Sequence, residues 1–204
     1  MEELAAVIAG AGGGYALGSV SFSLLLAKSR GVDLRSTGSG NLGATNLGRA
    51  LGKGYAVAAY LLDMLKGALP ALLALALDGR ASVAVAAGGA AVLGHVWPLW
   101  HGFRGGKGVA TLSGAMLALM PLGTLAAGLA WWLTVRFTRW VSAGSLAFGL
   151  ALPLASWLRG HETAIQLFAL AGGLFLFYTH RSNLMRILRG EEHRVGAGNS
   201  GDRS

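Results

Sequence analysis

Three stretches of this 204-residue chain combine glycine with Arg, Lys, Ser and Asn, the residue types that bind phosphate. The first is Gly38-Ser-Gly-Asn-Leu-Gly-Ala-Thr-Asn-Leu-Gly-Arg49. Gly38, Gly40 and Gly43 allow backbone N–H groups to approach an anion closely. Ser39, Asn41, Thr45 and Asn46 add neutral donors, and the Arg49 guanidinium can hold phosphate through two parallel bonds. Ala44–Arg49 is expected to begin a short helix whose N-terminus favours negative charge. The formal G-x-G-x-x-G match carries little weight, because no strand precedes it and no βαβ unit follows.

The second stretch, Phe103-Arg-Gly-Gly-Lys-Gly108, offers Lys107 on a loop that Gly105 and Gly106 keep close to its ligand. It is not a Walker A loop: His101 stands where that motif needs Gly, and Gly108 where it needs Ser or Thr. The third runs from Thr179-His-Arg-Ser-Asn183 to Glu191-Glu-His193. A helix continuing over 162–188 would place His180 and Asn183 on one face, three residues apart.

Long apolar runs separate these stretches. About 53% of residues are hydrophobic and 13% charged, against roughly 25% charged in soluble domains. The fold class expected is an all-α integral membrane protein, with its 33 glycines allowing close helix approach. The absence of cysteine excludes disulfides and Cys-ligated metals. A net charge of +8 falls in short clusters with no continuous basic face, which argues against nucleic acid as a partner. Met1-Glu2-Glu3 lacks the basic start of a cleaved signal peptide, so the first apolar run is read as a retained span.

Runs at 4–27, 54–77, 81–98, 141–158 and 162–180 each approach the roughly 20 apolar residues that cross a bilayer. Residues 108–135 as one helix would be about 42 Å long, too long for a hydrocarbon core of about 30 Å. Pro121 and Gly123 interrupt this run, predicting two short helices, about 108–119 and 121–136, with a tight reversal between them. Seven transmembrane helices result. They put 14 of the 17 Lys and Arg residues on one side, with Arg80 and Arg159 opposite and Lys66 inside a span. The basic side is expected to be cytoplasmic, leaving the N-terminus outside and the C-terminus cytoplasmic. Residues 1–195 read as a single polytopic membrane domain, and 196–204 as a polar tail expected to be disordered. Asp63 and Lys66, three apart within a span, are expected to pair and support the site. The six Trp residues read mostly as interfacial anchors.

Together these motifs resemble the bacterial PlsY family, the acyl-phosphate:glycerol-3-phosphate acyltransferases. The resemblance rests on Gly18-Ser-Val, on Gly38–Asn46 with Arg49, and on Leu62-Asp-Met-Leu-Lys-Gly67. It continues through Gly94-His-Val-Trp-Pro98, Phe103–Thr111, and His180-Arg-Ser-Asn183 with Gly190-Glu-Glu-His. It spans about residues 15 to 195, and the order and spacing are far more specific than any single motif. Ser21 stands where many members carry Pro, and Arg104 where Lys is common; neither change removes a donor assigned to substrate.

The resemblance implies a multi-pass enzyme of the bacterial inner membrane with its active site on the cytoplasmic side. Such an enzyme moves a fatty acyl group from acyl phosphate to the 1-hydroxyl of glycerol 3-phosphate, the first acylation of phospholipid synthesis. By that resemblance Ser39, Asn41, Thr45 and Asn46 with Gly38, Gly40 and Gly43 bind the acyl donor's phosphate. Arg49, Lys107, Ser142, His180 and Asn183 hold glycerol 3-phosphate, with Gly105 and Gly106 beside Lys107. An acyl phosphate is already activated, so positioning and charge stabilisation suffice without an enzyme nucleophile. Either His180 or the substrate's own phosphate can take the hydroxyl proton, and a site built to bind phosphates favours the substrate.

No His is followed five residues later by Asp, the pairing on which acyl-CoA-dependent soluble-domain acyltransferases rely. No closely spaced Asp cluster is present to hold magnesium. The partners that the resemblance implies are acyl phosphate, glycerol 3-phosphate and membrane lipid; no metal, no cofactor and no obligatory protein partner is expected. The main alternative is a membrane transporter of a small organic phosphate; a lipid-binding scaffold is the third reading.

Overall fold

The computed structural model describes residues 1–195; the tail expected over 196–204 lies outside the described residues. The described chain is helical: α1 (Glu2–Gly18), α2 (Phe22–Lys28), α3 (Ala44–Leu51), α4 (Lys53–Leu77), α5 (Ala81–Val96), α6 (Val109–Leu119), α7 (Pro121–Thr138), α8 (Val141–Leu158), α9 (Thr163–Thr179) and α10 (Arg181–Leu188), with a 3-10 turn at Leu99–His101. Four stretches, Glu2–Lys28, Lys53–Leu77, Ala81–His101 and Val141–Leu158, are long and apolar enough to cross a membrane. Counting α9 and α10 together as one bent unit makes a fifth.

The first stretch is broken between α1 and α2. Ser21 has extended backbone, and its hydroxyl accepts the Leu24 N–H at 3.4 Å to restart the helix. Residues 109–138 form two helices, as their length and Pro121 predict. Met120 between them is non-helical, and Pro121 occupies the first turn of α7, where its missing N–H costs nothing. The two then part: α6 runs beside α4, and α7 beside α8.

Small residues set how closely these helices pack. A side chain at Gly67 of α4 would strike the Thr111 backbone, and one at Gly114 of α6 the Met64 backbone. That intimacy seats the short α6 deep in the bundle, with Thr111, Leu112 and Met116 fully buried. The main core joins Leu112, Met116, Met120, Phe148, Leu152 and Leu176. A separate cluster of Leu24, Ala27, Leu34, Leu42, Leu47 and Ala59 lies beneath the first glycine-rich stretch. Leu125, Leu129, Leu150, Leu154, Leu167 and Leu174 point outward and stay exposed. Such a band would be an aggregation hazard in water and suits contact with lipid tails.

One expectation is corrected. The helix over 162–188 does not continue straight, because α10 leaves α9 at 59°. His180 sits at the junction with non-helical backbone, and its ring Nδ1 bonds the Leu176 carbonyl at 2.9 Å. That carbonyl also accepts the His180 backbone N–H at 3.0 Å, so ring and backbone of His180 are tied to the same point at the end of α9.

Candidate active site

The three polar stretches meet at one cavity. Its lining includes Ser39, Asn41, Gly43, Thr45, Asn46 and Arg49 from the first stretch, Lys107 from the second, Ser142 from α8, and His180 and Asn183 from the third. Gly38, Gly40, Gly105 and Gly106 do not line this cavity but belong to the loops that carry its lining residues. Gly38 and Gly40 have positive φ, +58° and +67°, which glycine adopts without strain.

The first stretch is folded around Asn46. Its Nδ2 donates to Leu34 O at 3.2 Å and Thr37 O at 2.9 Å, and its Oδ1 accepts the Ser39 N–H at 3.0 Å. The Gly40 N–H bonds Thr37 O at 3.1 Å. The amides of Ser39 and Gly40 are therefore consumed inside the loop and do not face an anion, contrary to what the glycine pattern suggested. Asn46, 2% exposed, acts mainly as the clasp of the loop. Ser39, Asn41, Thr45 and Arg49 are left to face the cavity, with the start of α3, where the Ala44 and Thr45 N–H groups precede the first bonds to the Gly43 carbonyl.

The opposite wall is organised by a carboxylate that the sequence did not single out. Glu192 Oε1 accepts from Ser142 Oγ at 2.7 Å and Asn183 Nδ2 at 2.7 Å, and Oε2 accepts from Arg186 Nε at 2.8 Å. Asn183 turns its Oδ1 to Lys107 Nζ, which donates to it. The motif Glu191-Glu-His193 was visible, but only the packing of α8 against α10 tells which Glu turns inward; Glu192 is 8% exposed. Tyr60, Asp63, His95, Trp131 and Ser145 also line the cavity without having been assigned to it. Trp131, expected as a membrane anchor, packs against the main core and borders the site.

Charge and burial set the protonation states. Burial, then the nearby Arg186 and Arg49 guanidiniums, pull the Lys107 ammonium down to about 8, against an opposing pull from Glu192. Burial and the Lys107 charge push His180 down to about 4. His180 is therefore neutral near pH 7. A carbonyl only accepts, so Nδ1 carries the proton donated to Leu176, and Nε2 keeps the lone pair. Burial raises the Glu192 carboxyl, but the bonds from Asn183, Ser142 and Arg186 outweigh it and hold it below its ordinary value. Among the described residues no three His, Asp or Glu side chains are grouped to hold a metal ion.

A second, more open concavity lies across the Lys107 loop, between Trp97, Tyr178 and Arg181. Asn41 and Lys107 line both hollows. Lys107 thus lies at the boundary between the two.

A family model described as glycerol-3-phosphate acyltransferase matches residues 8–190. The chain is 44% identical over 181 residues to a glycerol-3-phosphate acyltransferase of Aquifex aeolicus, covering 88% of this chain and 94% of that protein. It is 43% identical over 185 residues to a glycerol-3-phosphate acyltransferase of Brucella suis, covering 90% of each. Among solved structures, a crystal structure of PlsY, an integral membrane glycerol 3-phosphate acyltransferase, in its glycerol 3-phosphate form superposes with a TM-score of 0.89 at 42% identity, covering 96% of each chain. A lysophosphatidic acid form of PlsY gives 0.88 at 40% identity, over 93% of this chain and 95% of that one.

Proposed function

The chain belongs to the PlsY family of integral membrane glycerol-3-phosphate acyltransferases, and from that premise we propose that its acyl donor is acyl phosphate. The reaction joins the acyl carbon to the 1-hydroxyl of sn-glycerol 3-phosphate and releases inorganic phosphate, leaving 1-acyl-glycerol 3-phosphate. The observation that carries this reading is the position of Lys107, flanked by a hollow on either side and facing Arg49, Ser142, His180 and Asn183 across one of them. Two phosphates must be held close together for this reaction, and a cation between two spaces suits that task.

The residue roles follow from the two walls. Ser39, Asn41 and Thr45, on the loop that Gly38, Gly40 and Gly43 shape and Asn46 clasps, take the donor's phosphate. Arg49, Lys107, Ser142, His180 and Asn183 take glycerol 3-phosphate, with Gly105 and Gly106 keeping Lys107 in place. The hydroxyl oxygen attacks the acyl carbon, the carbon–oxygen bond to phosphate breaks, and the electron pair leaves on phosphate. Overall, the hydroxyl proton ends on the released phosphate. The proton is carried by the glycerol 3-phosphate phosphate group, whose second pKa is about 6, a better base than an imidazole at about 4. His180 Nε2 then orients the substrate by accepting a hydrogen bond.

The membrane arrangement in this reading has seven spans: α1 with α2, then α4, α5, α6, α7, α8 and α9. The N-terminus lies outside and the C-terminus in the cytoplasm of a bacterial inner membrane. The basic clusters support this orientation, since Lys and Arg prefer the cytoplasmic side. The acyl chain stays within the inner leaflet beside the bundle. Purified protein given glycerol 3-phosphate with acyl phosphate, acyl-CoA or acyl-carrier protein tests the donor. Turnover with acyl phosphate alone supports the reading, and equal turnover with acyl-CoA ends it.

A further inference from the structure

Three ionisable side chains sit inside the bundle, and the mechanism above does not use them. Lys66 and Asp63 lie on α4 and His95 on the last turn of α5. Lys66 Nζ is 2.9 Å from Asp63 Oδ1, and the two side chains are 1% and 2% exposed. His95 Nδ1 approaches the same oxygen at 3.6 Å and is 7% exposed. Neither contact to Oδ1 is aligned as a hydrogen bond, so charge more than direction holds that oxygen. Lys66 also donates to Val20 O at 2.5 Å, at the break between α1 and α2. Ions within the membrane are costly and are seldom kept for packing alone.

The cluster reaches the cavity and the loop above it. Asp63 and His95 both line the cavity wall. The Gly106 N–H donates to His95 O at 3.1 Å, and the Gly105 N–H to Val96 O at 3.1 Å. Gly106 lies against the Nε2 edge of the His95 ring, where any side chain would collide with the imidazole. The next residue is Lys107, whose own carbonyl accepts from Thr179 Oγ1 at 3.0 Å. The Lys107 backbone is thus clamped between the end of α5 and the end of α9. Between Gly105 and Gly108, Lys107 alone has a side chain, so this segment has no apolar anchor of its own. The surfaces it rests on must supply its position: Pro98 beside Gly105, Val92 and Val96 beside Gly108 and, directly before Lys107, the His95 ring against Gly106.

We propose that His95, held in orientation by Asp63 and Lys66, is a positioning residue for Lys107, so that the buried ionic cluster sets where the lysine meets substrate phosphate. The Asp63 carboxylate holds the Nδ1 edge of the ring by charge, the ring backs Gly106, and the Gly105–Gly106 segment presents Lys107 to Asn183 and the cavity. The inference rests on the reading of Lys107 as a substrate ligand.

A double-mutant cycle in the purified, lipid-reconstituted enzyme tests it. His95→Ala and Asp63→Asn are each made alone and with Lys107→Ala, and glycerol 3-phosphate is titrated in the acyl-transfer assay. Each single variant is expected to raise KM about tenfold with a smaller change in kcat, and to add no more than about twofold once Lys107 is gone. A cluster that only stabilises the bundle would give the same fold-change in both backgrounds, and that result overturns the proposal. So does unaltered kinetics in both single variants, or failure of both to yield folded, monodisperse protein. Asp63→Asn keeps the side-chain volume, and thermal unfolding of each variant separates misfolding from misplacement. If Lys107→Ala alone behaves as wild type, the reading of Lys107 as a ligand has failed as well. An impaired Lys107→Ala with multiplicative effects fails the positioning role alone.

Discussion

The two walls of the cavity are built in opposite ways. The wall formed by residues 33–49 is nearly self-contained. Its central residue, Asn46, bonds Leu34, Thr37 and Ser39, all within twelve positions. Leu34, Leu42 and Leu47 tuck beneath it into a small apolar cluster of their own. The other wall is local only in part: Asn183 and Arg186 lie nine and six positions from Glu192, but its remaining members come from distant segments. Ser142 reaches Glu192 fifty positions away, and Lys107 reaches Asn183 across seventy-six. The first wall needs a loop to close on itself, whereas the second exists only once α8, α10 and the Lys107 loop have packed together. A carboxylate at the centre of the second wall converts that packing into fixed directions for three donors, at the cost of making all three depend on one residue.

Substitutions can break or sharpen this contrast. The largest effect is expected for Lys107→Ala, which removes the cation both hollows share. We expect kcat/KM to fall about 10²- to 10³-fold for both substrates, comparable to the loss of a charge-stabilising donor in other active sites. An effect confined to one substrate would show that the two hollows do not share it.

Next comes Glu192→Ala, which leaves Ser142, Asn183 and Arg186 without their common partner. KM for glycerol 3-phosphate should rise about 10- to 100-fold, from the loss of hydrogen bonds to a charged group, with KM for acyl phosphate nearly unchanged. Asn46→Asp is the mirror experiment on the local wall. An ionised carboxylate still accepts the Ser39 N–H but cannot donate to Leu34 and Thr37. KM for acyl phosphate should rise about tenfold, and the thermal midpoint should fall, as a buried polar network loses its donors. Equal effects of either variant on both substrates would erase the distinction between the walls.

Smaller effects concern protons. His180→Gln should leave kcat within about threefold of wild type while weakening glycerol 3-phosphate binding, if substrate phosphate is the base. Lys107 in the free enzyme loses its charge as pH rises through about 8. kcat/KM for glycerol 3-phosphate should therefore decline above that pH, and Lys107→Arg, charged throughout, should flatten the decline. On the acid side His180 titrates only near 4. A limb near pH 6 would belong to the substrate's phosphate and should persist in His180→Gln.

What could be read from the residues alone was whatever depends on short stretches of chain. Hydropathy over twenty residues marks a membrane-crossing helix, because transfer into lipid is a local property, and Pro121 divides 109–138 into two helices wherever that segment lies. The stretches proposed to bind phosphate were legible for the same reason: glycine, hydroxyl and guanidinium chemistry does not depend on the rest of the fold. The tertiary structure decided the remainder. It used the Ser39 and Gly40 amides inside their own loop, bent the chain at His180, and turned Glu192 inward. It also brought His95 to Asp63 across two spans. Each of these is a choice of partner, and partners are set by how closely glycine-lined helices such as α4 and α6 approach, a distance that no single segment contains.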